Sequence, residues 1–193
     1  MKRVFIVHGW EGKPKHGWYP WLKKELEKRG FEVFVPAMPN SDAPEMKSWL
    51  ATLKKAVGKP DEDTFFVGHS IGCLTILHYF QSLSKDVKVG GAVFVAGWFS
   101  LTKEALPDKE SEDIAKPWME TPLDFAKVLE KTKNMIAIFS DNDPSVPMKE
   151  NEKIFRKFCK KIIIEKGKGH MIELHGVFEL PSALNAVLEL AKV

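Results

Sequence analysis

The sequence is poor in cysteine, with only Cys73 and Cys159 among 193 residues. A chain of this length can bury a core of its own, so a disulfide framework is neither needed nor indicated. Cys73 sits in an apolar stretch and reads as a small buried filler. Long hydrophobic runs are also missing, and none approaches a transmembrane span. Met1-Lys2-Arg3 passes directly into Val4-Phe5-Ile6-Val7 with no apolar leader, so the expected location is the cytoplasm. No one charge sign dominates: 29 Lys and Arg stand against 26 Asp and Glu, a net charge of +3, with the signs interspersed as in Lys23-Lys24-Glu25. Nucleic-acid binding calls for basic residues concentrated on one face, and no such stripe is present. The densest basic run, Lys157, Lys160, Lys161, Lys166 and Lys168, reads as a helix and a strand end facing water. Repeats, linkers and low-complexity stretches are absent, which leaves one domain over 1–193 as the expectation.

What is present is an alternation of short apolar runs with helical patterns. The runs Val4–Val7, Phe31–Val35, Thr64–Val67, Val87–Ala96, Met135–Phe139 and Lys161–Ile164 read as strands, several of them apolar on both faces. Helical spacing fills Trp21–Arg29, Glu45–Val57, Ile71–Leu83, Pro122–Leu129, Met148–Phe158 and Pro181–Leu190. Gly97–Thr121, broken by Pro107 and Pro117, is read as an irregular excursion holding a short helix at most. The order predicts an α/β fold: a three-layer α/β/α sandwich with a mostly parallel sheet of about six strands. Right-handed crossovers then place all strand carboxyl ends on one rim.

Gly68-His69-Ser70-Ile71-Gly72 joins the third strand to a helix. In that place it reads as a nucleophile elbow, a sharp turn that lifts a serine hydroxyl above the sheet and needs glycines on either side. A serine hydroxyl is a weak nucleophile until an imidazole accepts its proton and a carboxylate fixes the imidazole tautomer. In this fold the chain order is serine, acid, histidine. After the fifth strand comes Ser140-Asp141-Asn142-Asp143-Pro144, and after the sixth Gly167-Lys168-Gly169-His170-Met171. Ser70, Asp143 and His170 are therefore assigned to the catalytic roles. Asp141 competes with Asp143, with capping of its own turn as its other reading. His175 competes with His170, as a surface or substrate-binding residue. His69 is expected to pack or hydrogen-bond near the sheet, His8 to brace the first rim loop, and His78 to sit in the core or at its boundary. The backbone N–H groups of Ile71 and Trp10 are assigned to the oxyanion hole. Trp98 and Phe99 are candidates for the substrate pocket, whereas Trp18 and Trp21 are read as packing residues. His170 and Glu173 alone do not make a metal site, and no metal, nucleotide or organic cofactor is expected.

With these residues in place, the chain resembles the α/β-hydrolases, and among them the small serine hydrolases of the retinoblastoma-binding protein 9 and bacterial YdeN type. The resemblance is carried by Val7-His8-Gly9-Trp10, His16-Gly17-Trp18-Tyr19-Pro20-Trp21-Leu22, the elbow, Asp143-Pro144-Ser145-Val146-Pro147 and Gly169-His170. It implies an α/β-hydrolase fold with a minimal lid and a serine hydrolase acting on small acyl esters or peptides. The expected function is hydrolysis of small, short-chain carboxylic esters through an acyl-enzyme. Peptidase or amidase activity, and a protein-interaction module on the same fold, stay open at this point; the sequence does not give the oligomeric state.

Overall fold

The computed structural model describes residues 1–193. Its elements in chain order are β1 (Arg3–Val7), α1 (Tyr19–Glu27), β2 (Glu32–Phe34), α2 (Met46–Val57), β3 (Thr64–His69), α3 (Ile71–Ser82), β4 (Gly91–Val95), α4 (Lys109–Glu120), α5 (Phe125–Lys131), β5 (Met135–Ser140), α6 (Met148–Phe155), β6 (Lys161–Glu165) and α7 (Pro181–Ala191), with a 3-10 turn at Glu173–His175. The six strands form one parallel sheet in the order β2-β1-β3-β4-β5-β6. Successive strand residues face opposite sides. Phe5 and Val7 join a core with α2, α3 and α6, while Val4 and Ile6 join a second core with α1 and α7. Both faces are thereby covered, which is why these strands read as continuous apolar runs. The result is the expected three-layer α/β/α sandwich.

The chain winds one way from β1 to β2 and the other way from β3 onward. The β1/β3 boundary is thus the switch point, where a crevice opens at the strand carboxyl ends. Gly9 and Trp10 follow β1 at that rim, and Ser70 follows β3.

Two local expectations require correction. Val87–Gly90 is not strand: Val89 and Gly90 give their N–H groups to the Lys131 and Thr64 carbonyls, and β4 begins at Gly91. The 97–121 excursion contains a three-turn helix, α4, rather than a short one. Asp108 accepts from the Ser111 N–H while the Ser111 hydroxyl receives the Asp108 N–H, a reciprocal cap that starts the helix firmly. Pro117 falls in the last turn, where a proline costs less than it does mid-helix. Trp118 then anchors α4, buried against Trp49 with its indole N–H on the Pro44 carbonyl. No helix is long and apolar enough to cross a membrane. In the basic run, Lys160 and Lys161 pair with Glu189 on α7.

Candidate active site

Ser70 sits between β3 and α3 at φ 53° and ψ −122°, a backbone conformation that side-chain-bearing residues rarely adopt. The flanking glycines have a direct steric cause. A Cβ on Gly72 would lie 2.3 Å from the Val7 carbonyl oxygen, and one on Gly68 would lie 2.8 Å from the Cys73 backbone. The elbow can exist only where β1 and the start of α3 pass this closely. Ser70 is 6% exposed and lines a cleft of about 790 Å³ together with Trp10, Trp98 and His170. Its Oγ accepts a hydrogen bond from Trp98 Nε1 at 3.2 Å. Ser70 and His170 share no hydrogen bond in this structure, a common state before substrate binds.

The two acidic candidates separate cleanly. Asp143 Oδ2 lies 2.8 Å from His170 Nδ1, while its Oδ1 accepts from the Ser145 and Val146 N–H groups at 2.9 and 3.0 Å. The carboxylate therefore takes Nδ1–H of His170 and leaves Nε2 with its lone pair free. Asp141 does not cap its own turn; its Oδ1 receives the Gly167 N–H at 2.8 Å and so tethers the histidine loop.

That loop needs tethers, because Gly167, Gly169 and Met171 all have positive φ. Lys168 N–H goes to Ser140 Oγ, Gly169 N–H to Asn142 Oδ1 and His170 N–H to His175 Nδ1. On the carbonyl side, His69 Nε2 holds the His170 oxygen at 2.9 Å and Trp18 Nε1 donates to the Met171 oxygen at 2.9 Å. Because a carbonyl only accepts, His69 carries its proton on Nε2, and its Nδ1 accepts from the Tyr19 hydroxyl at 2.8 Å. The Tyr19 oxygen in turn receives the Gly9 N–H at 3.4 Å. One hydrogen-bonded chain thus ties the loop after β1, the elbow and the loop after β6.

His8 braces the first rim loop, as expected: Nε2 accepts from Met38 N–H at 3.0 Å and Nδ1 donates to the Gly9 carbonyl at 2.9 Å. The Trp10 N–H makes no backbone hydrogen bond, and Ile71, as the first residue of α3, has no intrahelical partner for its own. Trp98 lines the cleft as assigned to the pocket. Phe99 does not; its ring packs among Phe125, Phe155 and Phe158 while its N–H bonds Asn151. The two consecutive side chains point to opposite sides of the loop, Trp98 to the cleft and Phe99 to this cluster, which spacing alone does not reveal. Trp18 is fully buried, a packing residue with a tethering N–H.

Leu101, Pro107 and Ile114 from the α4 excursion form one wall of the cleft. Around it stand Glu11, Asp42, Glu104, Asp108, Glu110 and Glu173, none of them in an ion pair, and no Lys or Arg lines it. In a chain of net positive charge, the cleft itself carries a negative field.

Burial pushes the His69 imidazole down to about 3, with the nearby His170 adding to the shift, and burial also lowers His8 and His78. His69 is therefore neutral in the fold, and burial favours the neutral form of His8 and His78. Once unfolded they regain the ordinary value of 6.5, so below that pH the unfolded chain binds more protons than the folded one. Their contribution to stability is complete above 6.5 and is lost as the pH falls through each folded value, which for His69 lies at about 3. Thermal melts should therefore show Tm declining from about pH 6.5 downward. A Tm that holds until the carboxylates titrate near pH 4 would contradict this.

Comparison with known proteins agrees with this architecture. The pattern of the serine hydrolase family matches residues 4–189. The chain is 29% identical to the YdeN protein of Bacillus subtilis over 180 residues, covering 93% of this chain and 91% of that one. Serine hydrolase RBBP9 of Rattus norvegicus is 25% identical over 156 residues, 80% of this chain and 78% of its own. The crystal structure of the B. subtilis ydeN gene product superimposes with a TM-score of 0.90 at 26% identity, covering all of both chains. Est1E of Butyrivibrio proteoclasticus shares the fold, with a TM-score of 0.72 at 16% identity over all of this chain and 90% of its own.

Proposed function

The chain belongs to the serine hydrolase family, and we propose that within it the protein is a cytoplasmic carboxylic-ester hydrolase working through an acyl-enzyme on Ser70. The observation that carries this reading is the convergence of Ser70 and an Asp143-bonded His170 on one cleft. In the proposed cycle His170 Nε2 takes the Ser70 proton as Oγ attacks the ester carbonyl. The Trp10 and Ile71 N–H groups receive the developing oxyanion. The imidazolium, stabilised by Asp143, gives its proton to the departing alcohol, and water repeats the sequence to release the acid.

The substrate is proposed to be a small ester that is uncharged or cationic, since an anion would enter a cleft edged by six unpaired carboxylates. A panel of p-nitrophenyl esters tests this. Short-chain neutral esters should be turned over with kcat/KM at least about tenfold above an anionic hemisuccinate of similar size, with the gap narrowing in salt. A preference for the anionic ester, or a steady rise from acetyl to long acyl chains, would contradict the assignment. Faster cleavage of matched anilides than of esters would move the reading to an amidase.

A further inference from the structure

The histidine loop poses a physical problem of its own. A base must hold Nε2 within a fraction of an ångström of its target, and displacements of about 1 Å can cost on the order of a hundredfold in rate. Yet His170 is flanked by Gly169 at φ 53° and Met171 at φ 53°, so local sterics alone do little to fix its peptide units. Its ring is held only at Nδ1, by Asp143. The remaining restraint falls on the main chain, and both main-chain groups of His170 end on histidines. His69 holds the carbonyl from the sheet side. From the 3-10 turn five residues on, His175 Nδ1 accepts the N–H at 2.9 Å.

The contact at His175 is close-fitting. A Cβ on Gly169 would come within 2.5 Å of His175 Nδ1, so the absence of a side chain at 169 is what lets the imidazole reach the His170 amide. His175 itself is solvent-exposed, does not line the cleft and shares no hydrogen bond with Ser70; it meets the cleft only through the backbone of the loop that carries His170. A merely decorative surface imidazole would not need a bare glycine beneath it.

We propose that His175 is a positioning residue: its Nδ1 anchors the peptide N–H of His170 opposite the His69 anchor on the carbonyl, and so sets where the His170 imidazole stands over Ser70. This rests on the reading of His170 as the proton acceptor. His175 acts through the backbone and exchanges no proton with substrate. The tautomer follows from the geometry, with Nδ1 accepting and the proton on Nε2.

Two substitutions distinguish an acceptor from a packing group. In His175→Asn, the amide oxygen occupies the place of Nδ1, two bonds from Cβ, and keeps the acceptor. In His175→Phe, the ring is kept and the acceptor lost. The expected result is that Phe lowers kcat by about tenfold with KM within about twofold, while Asn stays within about threefold of wild type. Hydrogen exchange of the His170 amide should accelerate in the Phe variant and not in Asn. Full activity in Phe, or an Asn variant as impaired as Phe, would overturn the proposal. Should the wild-type protein cleave no ester, the function proposed above fails on that result. The amide exchange still decides the anchor: equal rates in both variants would overturn it, and faster exchange in Phe alone would uphold it.

Discussion

Ser70→Ala is expected to abolish turnover while leaving the fold intact. In serine hydrolases, loss of the nucleophile costs roughly a millionfold in kcat, and the residual rate comes from the oxyanion donors and binding. Little of the fold depends on the hydroxyl. It accepts one hydrogen bond, from Trp98, and its own hydrogen has no acceptor. Alanine keeps the Cβ and the same backbone angles. The stability change should therefore stay within about 1 kcal/mol, the worth of one buried hydrogen bond. Denaturant melts beside ester assays will check both halves. A variant retaining a tenth of wild-type activity would mean that Ser70 is not the nucleophile, and a collapse in stability would mean the elbow depends on its hydroxyl.

The second large effect separates the two aspartates. Asp143 Oδ1 is committed to two backbone N–H groups, so in Asp143→Asn the amide oxygen must stay with them and the NH2 must face His170. An NH2 can only donate, which forces Nδ1 to accept and moves the imidazole proton to Nε2. In that tautomer His170 cannot take a proton from Ser70, and kcat should fall by about ten-thousandfold with the geometry preserved. Asp141→Asn keeps an oxygen for the Gly167 N–H and should stay within about threefold of wild type. Steady-state kinetics of the pair decides the matter. Comparable losses in both, or a larger loss in Asp141→Asn, would contradict the assignment of the acid.

Much of this was legible in the sequence because its signals are steric or periodic. Gly68 and Gly72 mark the elbow since no other residue fits beside Cys73 and Val7, and continuous runs such as Phe65-Phe66-Val67 mark strands covered on both faces. The order of Ser70, Asp143 and His170 along the chain follows from the winding of the sheet. What stayed hidden depends on contacts between distant loops. Nothing near Trp98 in the chain indicates that its N–H meets Ser70, and Phe99 turns away into an aromatic cluster. Asp141 and His175 looked like rivals of the catalytic pair, whereas in three dimensions both tether the loop that carries His170. The α4 wall is masked in the sequence by the polar, irregular character of 97–121 and by Pro107 and Pro117; the Asp108–Ser111 cap with Ala115 and Trp118 three apart is the readable counter-signal.

The most direct test is intact-mass labelling with a fluorophosphonate, followed by peptide mapping, on wild type, Ser70→Ala and His170→Ala. One adduct per chain on Ser70, absent from Ser70→Ala and strongly slowed in His170→Ala, is the predicted result. Folded wild-type protein that takes no label, or takes it at another residue, would contradict the assignment of Ser70 as an activated nucleophile.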